Sequence, residues 1–478
     1  MTEVLTPDLC VVGAGASGLA VARAARRLGA SVVVVERGET GGMSLAAGAL
    51  ALRALMAAAE TTAAARRGGE FGLFSEPPRV SFRKVHDRIA AVIGRGRQEV
   101  LPELLAAQGI ELVRGTGAFT APDTLRAGET DIRARRFVIA TGAHLVQPDI
   151  PGLLSVPFFT SETIFDNTRK LTHLVIAGAG PSALELALAH RRLGCEVSVV
   201  EPGQALPHAD PELAGIALRR LVEEGVTLYE EAAIVAIQAR SQGIGVVVRV
   251  RDETVALDAS HILVASARRP NLFALDLDAA RVRRSKADGG ALALNASLRT
   301  SNPRIWAVGE AAGHAPAPHL AGIEAEIVVR AALLGRPSRY DPAAIPRLTL
   351  TDPPLAEIGL TEAMARARFR NGFSVLRAGY GENDLARANR ETMGVVKLIV
   401  ATGGHILGAG IVGQGAAELA TLIALAIEQK LPVAHLARLA APYPSYAELL
   451  RRLGEAAAAA EPAGALDARL LRLNRLLR

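Results

Sequence analysis

Two stretches of this chain carry the same four-part pattern: an apolar strand, a glycine-rich turn, a helix, and a second strand closed by an acid. In the first, Asp8 to Val12 runs into Gly13-Ala14-Gly15-Ala16-Ser17-Gly18, a helix from Leu19 to Leu28, and a strand from Ser31 to Val35 ending at Glu36. In the second, Leu174 to Ala177 runs into Gly178-Ala179-Gly180-Pro181-Ser182-Ala183, a helix through Leu193, and a strand from Glu196 to Val200 ending at Glu201. The first glycine permits a tight turn, the second lets a pyrophosphate approach the backbone, and the third allows close helix–strand packing. The phosphates then meet the positive end of the helix. Two such units predict an α/β chain with two Rossmann-like domains, one dinucleotide tightly held and the other exchanging.

The acids set the nucleotide chemistry. Glu36 is suited to accept both ribose hydroxyls of an adenosine. Glu201 suits a free 2′-hydroxyl and repels a 2′-phosphate, and Pro202 and Gly203 offer no cation, so NADH is favoured with NADPH still possible. Arg268 and Arg269 lie further along and are placed to touch that second cofactor.

At 478 residues the chain has room for several cores, and two or three domains are expected. The formal charge of +6 comes from arginines spread over the whole sequence, with 4% aromatic residues and no RNA-binding motif, which argues against a nucleic-acid partner. The two cysteines, Cys10 and Cys195, fall at predicted buried strands of different domains, so neither a disulfide nor a metal site is expected. The N-terminus lacks the basic and apolar regions of a signal peptide. The uncharged run from Leu398 to Ala417 is broken by glycines into strand, turn and strand, and a soluble cytoplasmic protein is expected.

Further segments carry a family resemblance: Ala140-Thr141-Gly142, Ile150-Pro151-Gly152, Thr160 to Phe165 and Arg268-Arg269-Pro270-Asn271. Beyond them come Thr300 to Gly313, Thr351-Asp352-Pro353, Gly359-Leu360-Thr361-Glu362 and Ile406 to Gly413. Over essentially its whole length the chain resembles the class I pyridine nucleotide-disulfide oxidoreductases, the group of dihydrolipoamide dehydrogenase and mercuric reductase. The resemblance implies an FAD domain over 1–150, an inserted NAD(P) domain over 151–271 and a return to the FAD domain over 272–342. A C-terminal α+β dimerisation domain over 343–455 follows, with a connector and basic helix over 456–478, and the implied assembly is a homodimer.

For FAD the resemblance implies contacts from Gly13, Gly15, Ala16, Ser17, Gly18, Glu36 and Arg37. It adds Gly41, Gly42, Met43, Ser44, Arg53, Gly117, Ala118, Ala140, Thr141 and Gly142. In the return segment it implies Gly309, Glu310, Pro318 and His319, with a helix starting near His319 whose N-terminus faces the flavin N1–C2 edge. Glu310 replaces the usual Asp at the ribityl chain. For NAD(P)H it implies Gly178, Gly180, Pro181, Ser182, Ala183, Glu185, Glu201 and Arg268.

The departures from the family pattern decide the expected chemistry. The redox pair CxxxxC falls on Ser44 and Ala49, neither of which forms a thiolate or a disulfide. The usual Lys is Arg53, a fork with a permanent charge whose expected partner is Glu185. The usual His of the C-terminal His-x-x-x-x-Glu dyad is Tyr443, and its Glu is kept as Glu448. Arg53, Glu185, Tyr443 and Glu448 are the candidate catalytic set, and no metal site is expected. Small residues at Pro181 and Ser182 open the nicotinamide side. Ser44, Ala46, Ala47 and Ala49 leave space for a flat acceptor on the other flavin face.

The expected activity is an FAD-dependent NAD(P)H:acceptor oxidoreductase, passing hydride from NADH to flavin and on to a quinone-like or other small molecule. Two alternatives stay open: a flavin-binding pseudoenzyme acting on a partner, and a pyridine nucleotide transhydrogenase. Leu466 to Arg478 spaces leucines and arginines as a basic amphipathic helix, expected to cap the dimer, with peripheral membrane contact as the alternative.

Overall fold

The computed structural model describes residues 3–46, 48–285, 290–314, 317–460 and 473–475. The chain divides into two compact units, one of Met1–Ala205 with Glu224–Asp341 and one of Leu206–Glu223 with Pro342–Arg478.

The first unit holds two parallel five-stranded sheets of the same plan. In one the strand order is Ile305–Ala307, Arg136–Ile139, Leu9–Val12, Val32–Glu36 and Ile110–Arg114. In the other it is Phe158–Thr160, His261–Val264, His173–Ala177, Glu196–Val200 and Val226–Tyr229. The central strands Leu9–Val12 and Val32–Glu36 read as near-continuous apolar runs because both faces of the sheet are covered. Leu9, Val11, Val32, Val34 and Val138 pack to one side of the first sheet, while Cys10, Val12, Val33, Val35, Phe137 and Ile139 pack to the other. A three-stranded antiparallel sheet over Ala232–Ala239, Ile244–Val250 and Glu253–Ala259 joins the second domain.

Both glycine-loop helices start inside the glycine-rich hexapeptide rather than after it. Ala16–Arg27 begins directly after Gly15, whose extended backbone ends the turn, and Pro181–Arg192 begins after Gly180 in the same way. Proline at the first helical position has no N–H to leave unsatisfied.

The second unit is built on an antiparallel five-stranded sheet ordered Arg347–Thr349, Leu355–Gly359, Ile406–Val412, Val395–Ala401 and Phe373–Gly379. Helices Ala416–Glu428 and Glu448–Ala460 complete its apolar core around Val396, Leu398, Ile411, Leu419, Ile423 and Leu450. The run Leu398 to Ala417 is thus a hairpin and the start of a helix, and no helix among the described residues is long and apolar enough to cross a membrane. One expectation is corrected here: residues 456–460, read as connector, form the end of Glu448–Ala460, since alanine has the highest helix propensity of any residue type. The expected basic helix over 466–478 falls outside the described residues except at 473–475.

Candidate functional sites

The two glycine loops are near replicas in their hydrogen bonding. The Glu36 carboxylate accepts from the Ala14 N–H and the Gly38 N–H, both at 2.7 Å. The Glu201 carboxylate accepts from the Ala179 N–H at 2.7 Å and the Gly203 N–H at 3.2 Å. Each acid therefore reaches back 22 residues to the turn that would hold its dinucleotide and fixes that turn's backbone.

Glycine is required at the start of both turns. Gly13 has φ +112°, and a Cβ there would lie 2.3 Å from the Ala140 carbonyl oxygen; Gly178 has φ +109°, with Ala265 O at 2.6 Å. At Gly15 and Gly180 the opposite holds, with no atom within 4 Å of where a Cβ would stand. That open space lies beside a helix N-terminus in each case, which is the cradle a pyrophosphate fills. Gly41 and Gly42 press on the first loop: the Gly41 N–H donates to Ala14 O at 2.8 Å, and a Cβ on Gly42 would sit 3.1 Å from the Gly15 Cα. Ala16, Ser17 and Gly18 form the first turn of the helix.

A cavity with about 430 Å³ of open space adjoins the first loop, lined by Gly13, Glu36, Arg37, Gly117 and Thr141 among others. The Thr141 hydroxyl is buried with no hydrogen-bond partner among the described residues. A cavity beside a phosphate cradle, lined by Glu36 and by Thr141 with its unpaired hydroxyl, fits an adenosine half of FAD. Gly115, Thr116, Asn271, Ala274 and Leu275 also line it and were not among the sequence candidates. Asn271 had a signal, since it closes the Arg-Arg-Pro-Asn motif. Its side-chain amide donates to Thr141 O at 3.0 Å, and its side-chain oxygen lies 2.7 Å from His144 Nδ1. Ala118 follows Gly117 on the strand Gly117–Ala121, and Ala140 and Gly142 flank Thr141.

Glu310 sits in the short turn Gly309–Ala312, and Arg268 holds it there. The Arg268 guanidinium donates to Glu310 at 2.6 Å, to Glu162 at 2.6 Å and to Ala143 O at 3.0 Å. Arg268, expected as a contact to the second cofactor, is held in place by these two carboxylates at bonding distance. Burial works against its charge and the two acids outweigh it, raising its pKa. Pro318 and His319 precede the helix Leu320–Leu333, with His319 as its N-cap.

The Arg53–Glu185 contact is also corrected. Arg53 forks onto Glu60, two turns along the same helix, Ala49–Arg66, at 2.6 and 2.8 Å. Glu185 is buried on Pro181–Arg192 and adds an electrostatic pull on Arg53. The reason is reach: Glu60 lies on the same helix face and meets the planar guanidinium with both oxygens. Pro181 and Ser182 open that helix and Ala183 is buried in it.

The Tyr443–Glu448 pairing is likewise not direct. Tyr443 is 73% exposed and donates to Asp384 at 3.3 Å, while Glu448 is buried and lies 3.5 Å from the Ser445 N–H and 3.8 Å from Arg451. The nearby Asp384 charge raises the Tyr443 pKa. Met43 and Ser44 lie in the short helix Gly42–Ala46, and Ala49 starts the next one; Ala47 lies outside the described residues.

Both thiols are sealed in cores. Cys10 lies mid-strand in Leu9–Val12 and Cys195 just before Glu196–Val200, each 0% exposed. Burial pushes both thiols up, Cys195 to about 11. Among the described residues no group of His, Cys, Asp or Glu is arranged to hold a metal.

Comparison with known proteins matches this geometry. The family described as pyridine nucleotide-disulphide oxidoreductase matches residues 7–327, and its dimerisation domain matches residues 345–453. The chain is 33% identical to mercuric reductase of Streptomyces lividans over 453 residues, covering 93% of this chain and 94% of the relative. It is 30% identical to dihydrolipoyl dehydrogenase of Geobacillus stearothermophilus, over 94% and 96% of the two chains. In fold it is similar to the HOCl-induced flavoprotein disulfide reductase RclA from Escherichia coli, solved as a Cu(II) complex. That match has a TM-score of 0.83 at 23% identity and covers 95% of this chain and all of the other. The chain belongs to the pyridine nucleotide-disulphide oxidoreductase family, whose members bind FAD and draw their electrons from NAD(P)H.

Proposed function

We propose that this family member is an NAD(P)H:acceptor oxidoreductase that takes hydride from NADH and delivers electrons to a non-disulfide acceptor, quinone-like in shape, with no cysteine relay. The observation that carries this reading is the placement of the two thiols, both buried in sheet cores and both shifted towards the unreactive protonated form. The family's reactive positions are held by Ser44 and Ala49.

Bound FAD supplies a carrier that accepts two electrons from a nicotinamide and releases them to a second substrate. The first loop, from Gly13 to Gly18, holds the FAD pyrophosphate, and Glu36 takes its adenosine ribose. Thr141 supplies a free hydroxyl to the same pocket. Glu310, oriented by Arg268, meets the ribityl chain. The second loop and Glu201 orient the NADH adenosine, and Pro181 and Ser182 leave the nicotinamide path open. Arg53, fixed by Glu60, keeps a positive charge on the side where the family has Lys, but it does not exchange a proton. Tyr443 offers a phenolic hydroxyl, and the dimerisation domain supports a homodimer.

Anaerobic stopped-flow mixing with NADH tests the reading. The flavin absorbance is expected to bleach, then recover on adding a quinone or ferricyanide faster than with free FAD. Flavin that stays oxidised excludes the activity. Hydride exchange between NADH and an NADP analogue without an acceptor would favour transhydrogenation instead.

A further inference from the structure

We propose that His314 is a positioning residue for the flavin, acting through the buried Glu324 on the turn that carries Glu310. This rests on the FAD reading of the first glycine loop.

Glu324 is 0% exposed, on the second turn of the helix Leu320–Leu333. One of its oxygens accepts from the Gly309 N–H at 2.6 Å, and the other lies 2.5 Å from His314 Nδ1. A carboxylate only accepts, so the imidazole carries its proton on Nδ1. The His314 ring stacks on Tyr340, centroids 4.4 Å apart and planes 9° from parallel. Tyr340 is itself pinned by its N–H to Ala296 O at 2.8 Å.

His314 also closes the turn it acts on. The Gly313 N–H donates to Glu310 O at 3.0 Å and the His314 N–H to Gly309 O at 3.4 Å. Gly309 has φ +62°, and a Cβ there would lie 2.7 Å from the Ser17 hydroxyl oxygen. The turn therefore rests directly against the first glycine loop. From it Glu310 reaches Arg268. A buried carboxylate with one oxygen unpaired is costly, and the backbone relaxes to find it a partner. Removing the His314 donor frees the turn at Gly309, where the loop, Glu310 and the start of the helix meet. Since the helix N-terminus favours negative charge on a reduced flavin, both FAD affinity and midpoint potential report on this geometry.

The test compares His314→Phe, which keeps a stacking ring without a donor, with His314→Asn, whose amide restores an N–H near Nδ1. The measurements are the FAD dissociation constant on rebinding to apoprotein, the two-electron midpoint potential and circular dichroism. H314F is expected to bind FAD at least tenfold more weakly with a shifted potential, and H314N to recover most of the affinity. A folded H314F with wild-type affinity and potential overturns the proposal, and so does an H314N that binds no better than H314F. If H314F does not fold, Tyr340→Leu decides: weakened FAD binding supports the proposal and unchanged binding overturns it. Wild-type apoprotein that takes up no FAD is a separate result, which removes the FAD reading itself.

Discussion

At Gly18 the backbone leaves no room for a methyl group, since a Cβ would stand 2.0 Å from the Gly13 carbonyl oxygen. Alanine is ordinarily better than glycine inside a helix by about 1 kcal/mol. Overpacking of this kind costs about 1–3 kcal/mol, so Gly18→Ala is expected to lower the melting temperature and the flavin-to-protein absorbance ratio together. The equivalent position of the second unit already holds Ala183, 1% exposed. Ala183→Gly is therefore expected to show only the propensity loss of about 1 kcal/mol, read from the same melts. Glu201 makes the second residue-scale prediction. Glu201→Gln removes the charge from its hydrogen bonds, a difference of about 1–2 kcal/mol. Steady-state assays should show the KM for NADH rising about tenfold, with kcat for a saturating acceptor little changed. A KM that does not move would leave Glu201 with a purely structural part, fastening its own loop.

The element that most rewards inspection is the strand Val395–Ala401, which carries Lys397 into the interior of the second unit. Lys397 lies 2.8 Å from each of Asp210, Glu212 and Glu362. Arg377 braces Glu212 at 2.8 Å and Glu362 at 3.4 Å. Lys397→Met leaves the buried Asp210 without its cation, and removing one partner of a buried pair costs about 3–5 kcal/mol. Urea unfolding should register that loss. Burial works to lower the Lys397 pKa, but the three carboxylates win and raise it to about 12. The Arg377 hydrogen bond leads the forces that hold Glu212 down at about 2. A depressed acid stabilises the fold above its ordinary 4.5 and loses that contribution as pH falls towards 2. The raised lysine contributes below its ordinary 10.5 and fades as pH climbs through 12. Stability measured against pH should show a plateau between those edges, and K397M should flatten the alkaline edge. None of this cluster was legible in the sequence. Asp210, Glu212, Glu362 and Lys397 are far apart in the chain, and no local spacing connects them. The glycine loops were legible because strand, turn, helix and acid are contiguous and each residue type answers a local steric or charge demand. Arg53 shows the limit: its charge was readable, but its helix and its partner, Glu60 rather than Glu185, were not, since the partner depends on which acid a long side chain reaches. Asn271 and Thr141 likewise meet only once two distant loops fold together.

Across the whole molecule, the chemistry expected of the chain turns on electrons moving without sulfur. Cys10 and Cys195 are both 0% exposed, so iodoacetamide on the native protein is expected to leave NADH-to-acceptor turnover intact. The double variant Cys10→Ala, Cys195→Ala should reduce its flavin at the wild-type rate, because core Cys→Ala changes packing by only about 1–2 kcal/mol. Loss of turnover under mild alkylation would place a thiol on the electron path.

The helix Pro211–Glu223 counts with the C-terminal unit, yet its flanking strands, Glu196–Val200 and Val226–Tyr229, belong to the nucleotide-binding one. The polypeptide crosses the boundary outward, back, and outward again. A gene fragment starting at Pro342 would encode the five-stranded sheet but not the helix whose Leu213 packs at Gly410 or whose preceding Asp210 answers Lys397. Such a piece would leave Lys397 with Glu362 alone of its three carboxylates and would uncover an apolar seam.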